Sequence, residues 1–354
     1  MNKKLEFALF ALNSESGIAM TTSKKRWMAK PEDILDVAKY CDDKFDYIFS
    51  VQRWLGFDGK TNPAGLTYDS SSFISAISSV TKKVKLIVTM HTSIIHPTHA
   101  ARIVSTIDQF SKGRVLLNVV CGWNQKEFQM FDSNYKPNLN AFEQGEEWLK
   151  IYKKILEGKK SSFKGKFFRV SNALTKPKLY KGTKPKILSA AFSQKGRDFA
   201  YKNTDYLVTM FSDIKALKNQ VRSIKKKSKK YKKKFKVFVL CHVVCKKNNI
   251  EAKKYYDDYS KKKIDIKAVE NFSNILSKNP KNKILKSLQE LNKQKMAGGI
   301  GSYPIVGSPK EVIKEFNEIK KSGVDGVVMS FLNFKDEIKF FTEKVLNVIK
   351  KSNI

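Results

Sequence analysis

The sequence predicts an α/β protein, a single (β/α)8 TIM barrel with insertions that runs through residues 1–354. Three observations carry that expectation. Short apolar runs alternate with amphipathic helical ones, the pattern of a parallel sheet or barrel. About eight of those apolar runs can be counted, which is the strand number such a barrel needs. Polar side chains also gather just beyond the ends of the runs, where barrels of this kind keep their ligands.

In chain order, residues 5–12 read as the first strand. Pro31 opens a helix over 31–43, a position where proline loses no hydrogen bond. Residues 47–51 are the second strand, 70–80 a helix and 84–89 the third strand. The helix expected over 97–110 carries an apolar stripe of Ala100, Ala101, Val104, Ile107 and Phe110. The fourth strand, 115–121, breaks at Gly122 into a polar loop. A helix over 143–156 leads to a hairpin insertion, 162–170, turning at Lys164-Gly165-Lys166. Runs at 186–190, 206–210, 237–245 and 326–331 complete the strands. Residues 246–300 are lysine-rich and helical in pattern, and read as an insertion between the seventh and eighth strands.

The formal net charge is +36, yet the 69 basic residues are 62 lysines and 7 arginines. Readers of phosphates and bases rely on arginine forks. No nucleic-acid partner is therefore expected, and the run from Lys225 to Lys234 reads as a solvated helix end. No apolar run approaches the roughly 18 to 20 residues that span a bilayer. Residues 1–8, interrupted by Glu6, make a poor signal peptide, so a cytoplasmic protein is expected. Cys41, Cys121, Cys241 and Cys245 are too few for a disulfide framework in a chain this long. Cys241-His242-Val243-Val244-Cys245 has a metal-like spacing, but adjacent strand residues face opposite ways and no second ligand pair exists. No metal is expected.

The polar residues at the strand ends are Ser50, Gln52 and Arg53, then Thr89 and His91, then Asn118, Asn124 and Glu127, and later Ser193 and Asn333. Asn118 is the most informative, because an amide inside an apolar strand is costly unless something satisfies it. Bonding to nearby backbone and contact with a ligand at the barrel mouth both account for it. His96, before Pro97, reads as a cap or packing residue. His91 lies two residues past Thr89 on the same strand face and reads as a substrate-side acid or hydrogen-bond donor.

Several motifs then occur in one order: Ser50-Val51-Gln52-Arg53-Trp54-Leu55-Gly56-Phe57, His96-Pro97, Ser111-Lys112-Gly113-Arg114, and Gly122-Trp123-Asn124 with Glu127 and Met130-Phe131. Phe163 to Phe168, Ser193 with Gly196-Arg197, and Gly307-Ser308-Pro309 follow. Over nearly the whole chain this resembles the bacterial-luciferase-like flavin monooxygenases, within them the pyrimidine, alkanesulfonate and dimethylsulfone branch. The resemblance implies a barrel that takes reduced FMN (FMNH2) from a separate NAD(P)H:flavin reductase and reacts it with O2. A flavin peroxide would then oxygenate a small organic substrate, pyrimidine-like or organosulfur. By the same resemblance Gln52, Arg53, Asn118, Glu127 and Ser193 are flavin contacts, and Asn118 with Thr89 borders the oxygen pocket. A homodimer or higher homo-oligomer is implied in the same way.

Ser193-Gln194-Lys195-Gly196 before a helix suits the FMN phosphate, although Ser193 also reads as a simple cap. One departure stands out: where relatives carry a cofactor-binding Arg-Tyr pair, this chain has Ala141-Phe142, so Phe142 occupies a cofactor-side position without a phenol. The sulfonate-binding Arg/His cluster has no match at Thr209-Met210-Phe211-Ser212, which speaks against a sulfonate substrate. Two rivals remain, a deazaflavin-dependent hydride-transfer enzyme and a barrel that binds flavin or anions without catalysis. The loops 17–30, 55–68 and 298–303 would wall the pocket, and Gly298-Gly299-Ile300-Gly301 reads either as a mobile lid or as a turn.

Overall fold

A computed structural model of the chain describes residues 4–132, 140–231, 234–277 and 293–352. Eleven strands are present among them: β1 (Glu6–Phe10), β2 (Tyr47–Phe49), β3 (Lys85–His91), β4 (Val115–Val120), β5 (Ser161–Lys164), β6 (Arg169–Ala173), β7 (Ile187–Ala190), β8 (Tyr206–Thr209), β9 (Lys236–Cys245), β10 (Tyr303–Gly307) and β11 (Gly326–Ser330). Eight of them form a closed parallel ring in the order β11-β1-β2-β3-β4-β7-β8-β9, with β9 bonded to both β8 and β11. The predicted barrel is present. In this ring β4 stands across from β11, and β3 across from β9.

The strands are buried on both faces, which is why their sequences are nearly continuous apolar runs. Alternate residues sort cleanly. Ile87, Leu116, Leu188, Phe238 and Val328 fill the barrel interior. Val88, Leu117, Leu207, Val239 and Val327 face outward, against the helices. The same alternation puts Thr89, His91 and Asn118 on the inner face, one or two layers above Ile87 and Leu116.

The supporting helices include α1 (Pro31–Cys41), α2 (Ser70–Val80), α3 (Pro97–Ser111), α4 (Gln125–Gln129), α5 (Ala141–Leu156), α6 (Gln194–Asn203) and α7 (Ile214–Ser228). Asp69 caps α2 by accepting from the Ser72 N–H at 2.9 Å. His96 caps α3, as expected, accepting from Thr98 N at 3.3 Å.

Three details differ from the sequence reading. Phe110 is 70% exposed instead of lying in the apolar stripe of α3. Asp108 explains it: its carboxylate accepts from Tyr180 N and the Thr183 hydroxyl, which turns 108 and 111 toward the barrel and 110 away. The hairpin turns at residues 165–168 rather than 164–166, where Glu147 of α5 collects the N–H groups of Lys166, Phe167 and Phe168. Strand β10 was not anticipated. It pairs parallel with the second half of β9, between the helical segments and β11.

Between β9 and β10 the described residues are helical at Asn249–Asp257, Asp258–Lys262, Ile266–Ser277 and Lys293–Gly299. Residues 278–292 of the expected insertion, and Lys232 and Lys233 of the basic run, lie outside the described residues. No helix among the described residues is long and apolar enough to cross a membrane.

Candidate active site

Asn118 is 3% exposed, and its side chain is held from one side only. The Ser70 hydroxyl, at the start of α2, lies 2.6 Å from the Ser50 hydroxyl and accepts from Thr89 N at 2.8 Å. The Thr89 hydroxyl donates to the Ser50 carbonyl at 2.6 Å. With its proton placed there, the Thr89 oxygen can only accept, and it does so from Asn118 Nδ2 at 3.2 Å. Asn118 Oδ1 is consequently turned away from Thr89, and no partner meets it although it is fully buried. A buried carbonyl oxygen without a donor is costly. The backbone-bonding explanation for Asn118 does not apply to this atom.

A second element caps the same side of the barrel. Gly122, two residues past β4, has φ of +101°, and a Cβ there would lie 2.5 Å from the Phe128 ring. Only glycine lets the chain turn this tightly into α4, which carries Glu127. Glu127 Oε1 accepts from Trp54 N at 3.2 Å and Leu55 N at 3.3 Å, and Arg53 Nε lies 3.0 Å away as an ion-pair contact. Both side chains are at least nine-tenths buried. Arg53 is held between the rings of Phe57 and Trp123, at 4.5 and 4.9 Å, and donates from Nη2 to the Leu55 carbonyl. Its Nη1 is buried without a partner. Burial raises the Glu127 carboxyl, while the Arg53 charge and the two amides pull it back down.

His91 completes this wall. Its ring lies 5.0 Å from Trp54 and edge-on to Phe128 at 5.8 Å, and its Nδ1 is buried without a partner. Burial and the Arg53 charge push the imidazole down to about 3. At neutral pH the ring is uncharged, so it offers one N–H and one lone pair but no spare proton.

The other sequence-derived residues are placed as follows. Gln52 clamps the start of α2, accepting from Ser70 N at 2.6 Å and donating to Asp69 at 3.2 Å. Ser193 caps α6, with Oγ accepting from Gly196 N at 3.1 Å. A Cβ on Gly196 would meet Ala191 at 3.0 Å and the Phe142 ring at 3.4 Å, so Phe142 borders this helix start and packs on Phe199 at 5.6 Å. Asn124 is buried before α4, and Asn333 caps the helix Phe334–Phe341. All four cysteines are buried and free, and no group of metal ligands occurs among the described residues.

What the sequence reading did not bring together is the opposite wall. His242 of β9 and Ser330 of β11 face inward, and Tyr259 reaches His242 from the helical segments. Gly298 and Gly299 close the helix Lys293–Gly299 in tight packing: Cβ atoms there would lie 2.7 Å from the Tyr256 ring and 2.9 Å from His242 Cβ.

The profile of the luciferase-like monooxygenase family matches residues 5–326. FMNH2-dependent dimethylsulfone monooxygenase of Pseudomonas putida is 25% identical over 358 aligned positions, covering 99% of this chain and 97% of that protein. Pyrimidine monooxygenase of Acinetobacter baylyi is 25% identical over 309, covering 85% and 82%. Among solved structures, riboflavin lyase superposes with a TM-score of 0.87 at 19% identity, covering 99% of this chain and 92% of the other, a likeness of fold.

Proposed function

This chain belongs to the luciferase-like monooxygenase family and is a flavin-dependent monooxygenase that uses FMN, and on that premise we propose that it receives FMNH2 from a separate NAD(P)H:flavin reductase and oxygenates a small organic molecule, pyrimidine-like or organosulfur. The observation that carries this reading is Asn118 Oδ1, an unpartnered buried acceptor at the mouth of the barrel. Reduced isoalloxazine bears ring N–H groups that oxidised flavin lacks, and an acceptor in this position suits them.

The residues present fit the cofactor. Asn118 would meet the ring, with Arg53 and Glu127 holding the loop after β2 against α4, and the start of α6 with Ser193, Lys195 and Arg197 would receive the phosphate. Phe142 contributes an apolar surface where a phenol would otherwise bind, which leaves phosphate recognition to α6 and its cations. When bound, reduced FMN supplies the electrons that activate O2.

The protein side of the chemistry is positioning and exclusion of water. Thr89 fixes the Asn118 amide and donates nothing to the pocket, because its O–H donates to the Ser50 carbonyl. His91 and its aromatic neighbours Trp54 and Phe128 dry the rim. Held neutral, the His91 imidazole would be a weak proton donor toward the pocket.

The test is reconstitution with FMN, a flavin reductase and NADH under labelled O2, with sulfones and pyrimidines offered as substrates. Substrate-dependent incorporation of one labelled oxygen atom is the expected result. Turnover with a deazaflavin and not with FMN would overturn the proposal, as would tight FMN binding with no oxygenation of any compound offered.

A further inference from the structure

The helical segments between β9 and β10 reach the wall that carries Arg53 and Glu127. Phe272, on the helix Ile266–Ser277, is 5% exposed. Its ring lies 4.9 Å from that of Phe57 and 6.1 Å from that of Trp123, edge-on to both, with interplanar angles of 71° and 86°. Those are the two rings that hold the Arg53 guanidinium. One aromatic side chain of the insertion therefore backs both walls of the slot in which the cation sits.

Hydrogen bonds fix this helix to the loop after β2. Asp265, just before the helix, accepts from Ala268 N at 3.3 Å. The other oxygen of the same carboxylate accepts from Thr61 N at 2.8 Å, with the Thr61 hydroxyl 2.9 Å away. Asn271 Nδ2 donates to the Phe57 carbonyl at 3.1 Å. Gly59, with φ of +85°, lets the loop lie on the helix start: a Cβ there would run into Asp265 Oδ1 and lie 2.9 Å from Ala268 N. Phe57, Ala64, Val269, Phe272 and Leu276 share one buried apolar cluster, so loop and helix pack as a unit.

The consequence for Arg53 follows from how it is held. Phe57 and Trp123 cover the guanidinium faces, so the tilt of these rings sets the plane of the cation. Within that plane Nε meets Glu127 Oε1 at 3.0 Å and Nη2 donates to the Leu55 carbonyl at 2.9 Å. Glu127 in turn takes the Trp54 and Leu55 N–H groups, which ties the loop to α4. Trp123 is 39% exposed, and the Phe272 edge supports its ring from the insertion side. We propose that Phe272 is a positioning residue for the cofactor site: acting through Phe57 and Trp123, it keeps the Arg53–Glu127 pair aligned and the loop after β2 seated on α4, so that the helical insertion sets the affinity for flavin. The inference rests on the monooxygenase reading for the identity of the ligand.

Two measurements on the full chain test it. Phe272→Ala and Leu276→Ala each remove a buried apolar side chain from the same helix, and only the first removes the ring contacts. The chain has seven arginines, so 15N labelling of arginine identifies the Arg53 Nε–H signal as the one that Arg53→Lys removes. Without flavin, Phe272→Ala is expected to move that signal and speed its exchange with water, while Leu276→Ala leaves it at the wild-type position. In parallel titrations Phe272→Ala is expected to weaken FMN about tenfold and Leu276→Ala to change it by no more than about twofold. Phe272→Leu keeps apolar bulk without a ring and carries the same expectations where Phe272→Ala does not fold. An unmoved Arg53 signal, or equal loss of FMN affinity in the two alanine variants, overturns the proposal. A moved signal with unchanged FMN affinity overturns it too, by detaching the pair from the cofactor. Failure of the wild type to bind FMN would instead count against the monooxygenase reading, since the Arg53 signal is read without flavin.

Discussion

Asn118 Nδ2 donates to Thr89 Oγ1 at 3.2 Å, and that one bond decides which end of the amide faces the barrel mouth. Thr89 cannot donate back, because its O–H already donates to the Ser50 carbonyl. The site therefore presents a buried acceptor at the residue that the resemblance assigns to the flavin and the oxygen pocket. Ser50, Ser70, Thr89 and Asn118 act as one relay of orientation, from the start of α2 across β2 and β3 to β4.

The Arg53–Glu127 pair predicts a sharp asymmetry between variants. Glu127→Ala leaves a guanidinium buried between Phe57 and Trp123 with no counter-charge, which costs about 3–5 kcal/mol. It also frees the Trp54 and Leu55 N–H groups. Glu127→Gln retains an acceptor for those amides and loses less. Both variants remove the counter-charge of Arg53, so urea unfolding should show Glu127→Ala losing more than Glu127→Gln by the worth of the two amide contacts; equal losses would mean that those contacts contribute nothing.

Ser193 separates a cap from a phosphate contact. Ser193→Ala removes the bond to Gly196 N and should cost about 1 kcal/mol of stability as an N-cap loss. If the start of α6 also receives the phosphate, the variant weakens FMN severalfold and leaves riboflavin binding unchanged. Parallel titrations of the two flavins give the answer. An identical change for both would confine Ser193 to its structural role.

Glu337 predicts a pH dependence with a definite sign. Its Oε1 accepts from the Tyr255 hydroxyl and Asn333 N, both at 3.0 Å, while Lys246 Nζ stands 4.0 Å from Oε2. Burial raises the carboxyl from an ordinary value of 4.5 to about 7, against the pull of Lys246. Between those two values the folded chain holds a proton that the unfolded chain has released. Stability from this group is therefore full below 4.5 and is lost as pH rises through about 7, by up to ~1.4 kcal/mol per pH unit. His91 and His242, held neutral, act in the opposite sense as pH falls below 6.5. Glu337→Gln isolates the first effect, because it leaves both histidines in place. Denaturation of wild type and variant from pH 5 to pH 8 should show the variant gaining relative stability as pH rises.

Much of the barrel was readable because its signals are local. Residues 70–80 were expected as a helix and α2 spans Ser70–Val80; the strands lie within a few residues of their apolar runs. Gly122 marked a break, and the structure shows the positive φ behind it. Phe110 misled because helical spacing says nothing about Asp108 anchoring the last turn to Tyr180 and Thr183. Strand β10 was hidden because Pro304 and the neighbouring glycines read as a turn, whereas the strand borrows its pairing from an unusually long β9.

The site was legible as a set of residues and not as a geometry. Arg53 and Glu127 were both singled out, yet nothing in their separation along the chain indicates a shared ion pair. Gln52 is occupied at the start of α2, a contact that depends on how α2 meets β2. The Tyr259, His242 and Ser330 chain joins three distant segments, and only strand register brings two of them together.

The most direct test of the central claim is titration of reduced and oxidised FMN against wild-type protein and Asn118→Ala. The account predicts that the variant stays folded and binds FMNH2 about tenfold more weakly, the loss of one buried acceptor, with a smaller change for oxidised FMN. Unchanged FMNH2 affinity in a folded Asn118→Ala protein would contradict it.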